Sequence, residues 1–176
     1  MDPTLFQQLL GARFYRLPAS LRALHGIRGE GAYAGRVTVV RGTRPLARLC
    51  ARIAGLPPAM EDAPVAVAFV ADALGETWRR DFGGRTMQSR LWRRGPRLCE
   101  RLGPLQFRFA LHANDGALHW EVAAVRLLGV LPLPAALFSQ VRCRERERDG
   151  RYEFRVEAAM PLIGPLVRYE GWLEPA

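Results

Sequence analysis

Most of the chain beyond residue 60 consists of runs in which apolar and polar residues alternate, and tight-turn sequences join these runs. Successive residues of a β-strand point to opposite faces, so this alternation indicates strands with one apolar face. The turn residues tolerate the positive φ angles that two-residue hairpin turns require. The pattern therefore predicts that Pro64 to Glu174 form one continuous antiparallel sheet. Its clearest turns are Gly83-Gly84, Asn114-Asp115-Gly116 and Asp149-Gly150.

The number of strands favours a curved or closed sheet. Eight or nine strands are expected, beginning with Gly31 to Val40, and a sheet of this length tends to close because closure removes exposed edges. We expect a mainly β (α+β) fold: a strongly curved antiparallel sheet or β-barrel of eight to nine strands, covered by two or three short N-terminal helices. Lipocalin-like barrels of about eight strands hold one small ligand. A helix-grip sheet of the START type is the alternative, but that fold ends in a long helix and this chain ends in a strand.

Three short helices are expected, over Pro3–Leu10, Pro18–Leu24 and Pro45–Ala54. In the third, Leu46, Leu49, Cys50 and Ile53 follow helical spacing, so we expect this apolar stripe to pack on the sheet. Arginines at intervals of four would then form an exposed ridge, which is either a solvated face or a peripheral contact with a membrane surface or a partner. The ridge consists of Arg44, Arg48 and Arg52.

Composition limits the classes of function. Residues 1–176 are expected to form a single domain, and the formal net charge is +9. All 26 basic residues are arginine, which is typical of GC-biased codon use, so the charge by itself says little about partners. The arginines are spread along strands and turns without a recognition-helix or zinc-finger pattern, which argues against nucleic-acid binding.

The sequence gives no sign of a metal, a cofactor or export. Cys50, Cys99 and Cys143 are widely spaced and form no metal-ligand pattern, so they are expected to be small core residues in a reducing cytoplasm. No secretory signal is recognised at the N-terminus, and no apolar run reaches the roughly 20 residues that span a bilayer. We therefore expect a cytoplasmic protein without a transmembrane segment, a metal or a cofactor.

Two charged residues conflict with the apolar faces of their predicted strands. Arg80 lies two residues from both Trp78 and Phe82, and Glu145 lies two residues after Cys143, so each shares a strand face with apolar side chains. A buried charge is normally paired or faces a wet cavity. One interpretation is therefore a structural ion pair between Arg80 and Glu145, or between Arg80 and Glu76. The other is that Arg80 binds the carboxylate or phosphate of an otherwise apolar ligand, because a guanidinium matches such groups.

Other polar residues are weaker candidates. His25 is expected to cap a helix end, with a role as acid or base as the alternative. A catalytic triad of Ser89, His25 and Asp81 has no nucleophile-elbow context to support it. Tyr169 is expected in the core or at the rim of the barrel. The sequence thus names no catalytic residue, and the candidates for ligand binding are Arg80, Glu145, Trp78, His25, Ser89 and Tyr169.

One ordered set of residues extends over nearly the whole chain. The set comprises Leu24-His25-Gly26, Gly35-Arg36-Val37, Arg41-Gly42, Gly55-Leu56-Pro57, Trp78, Arg80, Phe82, Ser89, residues 131–134, Glu145, Asp149-Gly150, Phe154, Pro161, Gly164, Tyr169 and Gly171. This set resembles the bacterial family of domains of unknown function numbered 4166, DUF4166. The resemblance implies a domain that occurs alone or attached to a saccharopine-dehydrogenase-like reductase, so a reductase is an implied partner. It implies no established reaction, and no GxGxxG motif follows a strand here.

Two functions remain open at this point. The first is a binding module whose curved sheet encloses a small apolar or amphipathic molecule, with Arg80 anchoring an acidic group. The second is an accessory enzyme or reductase-associated domain that acts on such a ligand, with Glu145 and His25 as acid and base. An enclosed pocket that reaches Arg80 and Glu145 is compatible with both functions, whereas a solid core around an ion pair favours a structural protein.

Overall fold

Eleven antiparallel strands form a single sheet, and ten of them close into a barrel in this computed structural model. The structure describes residues 2–176; Met1, which belongs to the predicted domain of residues 1–176, lies outside them. The strands are β1 (Gly29–Arg41), β2 (Met60–Asp72), β3 (Gly75–Asp81), β4 (Thr86–Arg94), β5 (Arg97–Leu102), β6 (Leu105–Asn114), β7 (Ala117–Leu127), β8 (Leu131–Leu133), β9 (Arg142–Arg148), β10 (Arg151–Met160) and β11 (Gly164–Pro175).

The sheet runs in the order β6-β5-β4-β3-β2-β1-β11-β10-β9-β7, and pairing of β6 with β7 closes it. The short strand β8 pairs with the end of β7 beyond the closed ring. The predicted continuous antiparallel sheet is confirmed, and the expected count of eight or nine strands is too low. Because pairing of β6 with β7 closes the sheet into a ring, the helix-grip alternative is wrong.

The predicted hairpin turns are confirmed. Both residues of Asp149-Gly150 have positive φ angles, 52° and 75°, as a tight turn between β9 and β10 requires. The Gly83-Gly84 turn between β3 and β4 likewise has φ angles of 63° and 92°. These turns set the register that places Trp78 opposite Ser89 and Phe154 opposite Glu145.

The helices lie at the two ends of the barrel. The helices α1 (Leu5–Leu10) and α2 (Ala19–His25), with the 3₁₀ helix Gly11–Arg16 between them, pack at one end. Thr4 caps α1 and also donates from Oγ1 to the His25 carbonyl oxygen at 3.0 Å, which joins the two helices. The helix α3 (Pro45–Ile53) connects β1 to β2 at the opposite end. A second 3₁₀ helix, Ala135–Phe138, precedes β9.

The orientation of α3 differs from the prediction. Ala47 and Ala51 are its fully buried residues, whereas Leu46, Leu49 and Ile53 are more than half exposed. The small alanines allow the helix backbone to approach β11 closely, and the leucines are therefore turned outwards. The expectation that the large apolar stripe packs on the sheet is wrong, and the arginines share the solvent side with it.

The inward faces of the strands and the apolar faces of α1 and α2 form one core. Phe6 of α1 is fully buried and stacks against His25, with ring centroids 3.8 Å apart. The Trp78 and Trp120 rings meet edge to face, with ring centroids 6.0 Å apart. A cavity inside the barrel borders this part of the core at Leu24, Trp78 and Trp120.

Candidate ligand-binding cavity

A cavity of about 150 Å³ lies inside the barrel. It extends from Leu24 of α2 to Leu56, which follows α3, and thus runs along much of the barrel interior. Its wall is mainly apolar and includes Val67, Phe69, Phe107, Phe109, Trp120 and Val156. Charged side chains interrupt this wall at Arg142 and at two polar places with defined contacts, one around Arg80 and one around Glu145.

The first polar place is built by neighbouring strands β3, β4 and β5. Arg80 donates from Nη1 to Ser89 Oγ at 3.0 Å, and its Nη2 lies 3.8 Å from Glu100 Oε1. The guanidinium also lies over the Trp78 ring, 5.0 Å from the centroid. Arg80 and Glu100 keep 14% and 12% of their side-chain surface exposed, and both line the cavity. The Arg80 guanidinium is thus held in place and still accessible to a ligand.

The second polar place joins β9 to the end of α2. Glu145 Oε2 lies 2.6 Å from His25 Nε2, and both side chains are buried. The other ring nitrogen, His25 Nδ1, has no hydrogen-bond partner within residues 2–176. Tyr152 lies beside this pair: burial first, and then the charge of Glu145, raises the pKa of its phenol well above the usual value. The phenol therefore stays protonated at neutral pH.

A further buried carboxyl lies next to Trp78. Glu76 Oε2 accepts a hydrogen bond from the Trp78 indole Nε1 at 2.8 Å, and the residue is 6% exposed. Burial raises the pKa of Glu76, an effect that the hydrogen bond from Trp78 and the proximity of His25 partly oppose. This carboxyl therefore ionises less readily than a carboxyl in water.

Two further groups in the cavity wall are held in their neutral forms. Burial raises the pKa of the Cys143 thiol well above its ordinary value, and the negative charge of Glu145 raises it further. Burial also raises the pKa of the Tyr169 phenol. In this state the thiol is a weak hydrogen-bond donor and the phenol an ordinary one, and neither is a nucleophile.

The sequence-predicted candidates gather around this one cavity. Arg80, Glu145, Trp78 and Tyr169 line it. His25 and Ser89 are buried behind the wall, where each hydrogen-bonds one of those residues. All six candidates are therefore in the wall or directly behind it.

The predicted pairings between these residues are wrong. Arg80 contacts Glu100 instead of Glu145 or Glu76, and Glu145 contacts His25. The imidazole of His25 binds that carboxylate and does not cap helix carbonyls. The alternative triad does not assemble either, because Ser89 bonds Arg80 and the Asp81 carboxylate accepts from the Gly84 amide at 2.6 Å.

Sequence analysis missed three residues of the site. Glu100 belongs to a short strand whose inward face could have been identified from Leu98 and Leu102. Tyr152 is buried on the inward face of β10, and nothing in the alternation pattern predicts its contact with Glu145. Cys143, which the sequence predicts to be a small core residue, lies in the cavity wall. Within residues 2–176, no three His, Cys, Asp or Glu side chains are grouped so as to hold a metal ion.

A comparison with models of known protein families identifies the family to which the chain belongs. The model for a domain of unknown function, DUF4166, matches residues 17–173. The chain belongs to the DUF4166 family. The match contains β1–β11 up to Leu173 and all six candidate residues, but it leaves out α1.

Two other comparisons add little to the DUF4166 assignment. Among curated proteins, none matches this DUF4166 domain significantly. Among solved structures, the crystal structure of Rv2717c from M. tuberculosis is similar with a TM-score of 0.47 and 12% sequence identity. That alignment covers 91% of this chain and 99% of the other. Within residues 2–176 of the chain, every helix is too short or too polar to span a bilayer.

Proposed function

We propose that this DUF4166 domain binds a small apolar or amphipathic molecule inside its barrel. The observation that carries the proposal is the cavity of about 150 Å³, whose apolar wall contains the accessible guanidinium of Arg80. Binding sites for small molecules are typically concave and apolar, with a few polar groups that fix the orientation of the ligand. The cavity has this combination.

The size of the cavity limits the ligand. An engineered protein cavity of about 150 Å³ binds benzene, so the enclosed part of the ligand has roughly the volume of one six-membered ring. A molecule with a longer chain requires the wall to open between strands or beside Leu56. The preferred class is therefore a compact apolar group with one polar substituent.

An acidic substituent suits the position of Arg80. The guanidinium is held by Ser89, and its contact with Glu100 is long at 3.8 Å, so two N–H groups can turn to an oxyanion without losing a tight ion pair. The stacking of the guanidinium over Trp78 fixes its plane. A carboxylate on the ligand would then replace cavity solvent at the guanidinium.

Native mass spectrometry of the protein purified from its own host tests the proposal. We expect a population with a small bound molecule, which is released on denaturation and is reduced in an Arg80→Met variant. Gln88→Met is the matched control, because Gln88 lies on the outward, exposed face of β4. Protein that is free of any small molecule and that also takes up none from a host extract would contradict the proposal.

A second candidate function is catalysis on the same ligand, and the Glu145–His25 contact favours it. Glu145 reaches the cavity although the residue is only 1% exposed, and its carboxylate lies 2.6 Å from an imidazole that can exchange a proton with it. Such a pair can take a proton from a bound molecule and return it. Deuterium incorporation into the co-purified molecule in heavy water tests this. Exchange that Glu145→Gln abolishes supports catalysis, and equal exchange in both proteins contradicts it.

A further inference from the structure

Large apolar side chains are exposed mainly at one end of the barrel. This end, called the α3 end, carries α3 and the turns that follow β3, β5, β7 and β10, because alternate turns of an antiparallel meander lie on the same side. Exposed Tyr15, Val70 and Leu74 belong to the other end. At the α3 end, the exposed large apolar residues are Val40, Leu46, Leu49, Ile53, Leu128, Val130, Leu131 and Leu162.

The helix α3 contributes a defined apolar edge. With about 100° between successive residues, Leu46, Leu49 and Ile53 fall within an arc of roughly 60° that lies away from the buried alanines. These three side chains are 53%, 52% and 62% exposed. The helix is strongly amphipathic although its mean hydropathy is close to neutral, which is typical of helices that lie in a membrane interface.

Neighbouring turns extend this edge. Leu162, in the turn before β11, is 100% exposed, and its carbonyl oxygen accepts a hydrogen bond from Arg44 Nη1 at 3.2 Å. Beyond the other end of α3, the Pro104 carbonyl oxygen accepts from the Leu128 amide at 2.7 Å, which holds exposed Leu128 and Val130 at the same end of the barrel. The apolar side chains are thus distributed over several anchored segments.

Positive charge accompanies these apolar side chains. Arg48 and Arg52 are exposed on α3, about 40° apart on the side of the helix next to the leucine edge. Arg44, the residue that precedes the helix at its N-cap, is also exposed. The groove next to the helix is lined by Arg41, Arg48, Arg52 and Arg85 and by no acidic residue. The acidic residues nearby in the chain are exposed Glu61, Asp62, which is paired with Arg36, and Asp81, which accepts a hydrogen bond from the Gly84 amide, so arginines outnumber them at this end.

We propose that the α3 end of the barrel docks on the surface of an anionic lipid bilayer, with Leu46, Leu49, Ile53 and Leu162 entering the interface and the arginines contacting headgroups. Aliphatic side chains beside arginines match the two components of such a surface. A nucleic acid would engage the arginines but would leave the leucines in water. The docking does not depend on the ligand cavity, so it can fail while ligand binding succeeds.

Cosedimentation of the full chain with vesicles tests the docking. The probes are vesicles of phosphatidylcholine alone and of equimolar phosphatidylcholine and phosphatidylserine. We expect binding to the anionic vesicles, weakened roughly tenfold or more by the triple variant Leu46→Ser, Leu49→Ser and Ile53→Ser. The pair Arg48→Glu and Arg52→Glu should weaken it by at least about tenfold, since each basic residue near the surface contributes a factor of about five.

Matched control variants remove exposed apolar side chains or reverse two arginine charges at the other end of the barrel. Tyr15→Ser with Leu74→Ser removes exposed apolar groups there, and Arg94→Glu with Arg97→Glu produces the same net charge as the α3 pair. Both controls should bind like the parent. Thermal melting verifies that each variant is folded, which is expected because the substituted side chains are exposed.

Three results would overturn the docking proposal. The first is no binding of the parent protein to anionic vesicles. The second is an equal loss in the two charge-reversal pairs, which would mean attraction by net charge alone. The third is an unchanged affinity for anionic vesicles in the triple serine variant, together with a nucleic-acid affinity that depends on Arg48 and Arg52. This combination would assign the surface to a nucleic acid.

Discussion

Three acidic side chains around the barrel interior each have a different donor. Glu76 accepts from the Trp78 indole, Glu100 faces Arg80 and Glu145 contacts His25. A carboxylate in an apolar interior is costly unless it is hydrogen-bonded, so each pairing is part of the stability of the site. Alternation placed Arg80 and Glu145 inside the barrel. It could not predict the partner of Glu145, because His25 is 120 positions away and comes from a helix.

The contact between His25 and Glu145 predicts strong coupling between the two residues. Replacing Glu145 alone with Leu leaves the buried imidazole without its acceptor, and we expect a loss of about 3–5 kcal/mol in the free energy of unfolding. The double variant with His25→Phe should recover much of this loss, because an apolar pair of similar volume needs no partner. Urea unfolding of the two single variants and the double variant measures the coupling. Additive losses would mean that the two side chains do not interact.

The buried carboxyl of Glu76 predicts a pH-dependent stability. Its pKa is raised in the folded state, so between the unfolded pKa of about 4.5 and the higher folded value the folded state binds more protons. The stability that this group contributes is present below the unfolded pKa and is lost as the pH rises through the folded pKa. Glu76→Gln keeps an oxygen for the Trp78 indole but cannot ionise. We therefore expect the variant to gain in stability relative to the parent as the pH rises from 4 to 8.

Urea unfolding at a series of pH values measures this difference for Glu76→Gln. Glu147→Gln on β9 is the control, because the hydrogen bond from the Ser20 amide lowers the pKa of the Glu147 carboxyl, the opposite direction to Glu76. It should show no relative gain with rising pH. The difference in the free energy of unfolding between Glu76→Gln and the parent could instead stay constant from pH 4 to pH 8. The carboxyl would then titrate alike in the folded and unfolded states, and burial would not raise its pKa.

At the scale of elements, α3 shows how far periodicity can predict packing. The spacing of Leu46, Leu49 and Ile53 indicated a helix and a shared edge, and both are observed. It could not indicate which edge faces the barrel. Ala47 and Ala51 face it because only small side chains allow the helix to lie close to β11. The inward face of each strand was easier to predict than that of α3, because a strand with one apolar face can bury only that face.

The orientation of α3 predicts opposite sensitivities for two of its residues. Ala51→Leu introduces a large side chain at a fully buried position, and we expect a loss of about 1–3 kcal/mol in the free energy of unfolding from overpacking. Leu49→Ala at the exposed edge should change stability by less than about 0.5 kcal/mol. Chemical denaturation measures both changes. A large loss at Leu49 with none at Ala51 would mean that the helix packs as its leucine spacing first suggested.

At the scale of the whole molecule, closure of the sheet creates the cavity. Pairing between β6 and β7 joins the two edges of the sheet, and helices lie at both ends of the ring. The hairpin turns made an antiparallel sheet predictable from the sequence. Closure with ten strands and the cavity volume depend on how far each strand is offset from its neighbour, which no local pattern specifies. The packing of Phe6 and Trp120 into one end also depends on distant residues.

Calorimetric titration with toluene and benzoate tests the central claim, that the barrel holds a small apolar molecule beside Arg80. We expect saturable binding of both probes, because one aromatic ring suits the cavity volume. Ala158→Leu, which fills the cavity wall, should weaken both probes, whereas Arg80→Met should weaken benzoate and spare toluene. Absence of saturable binding for both probes, or binding that neither variant changes, would contradict the account.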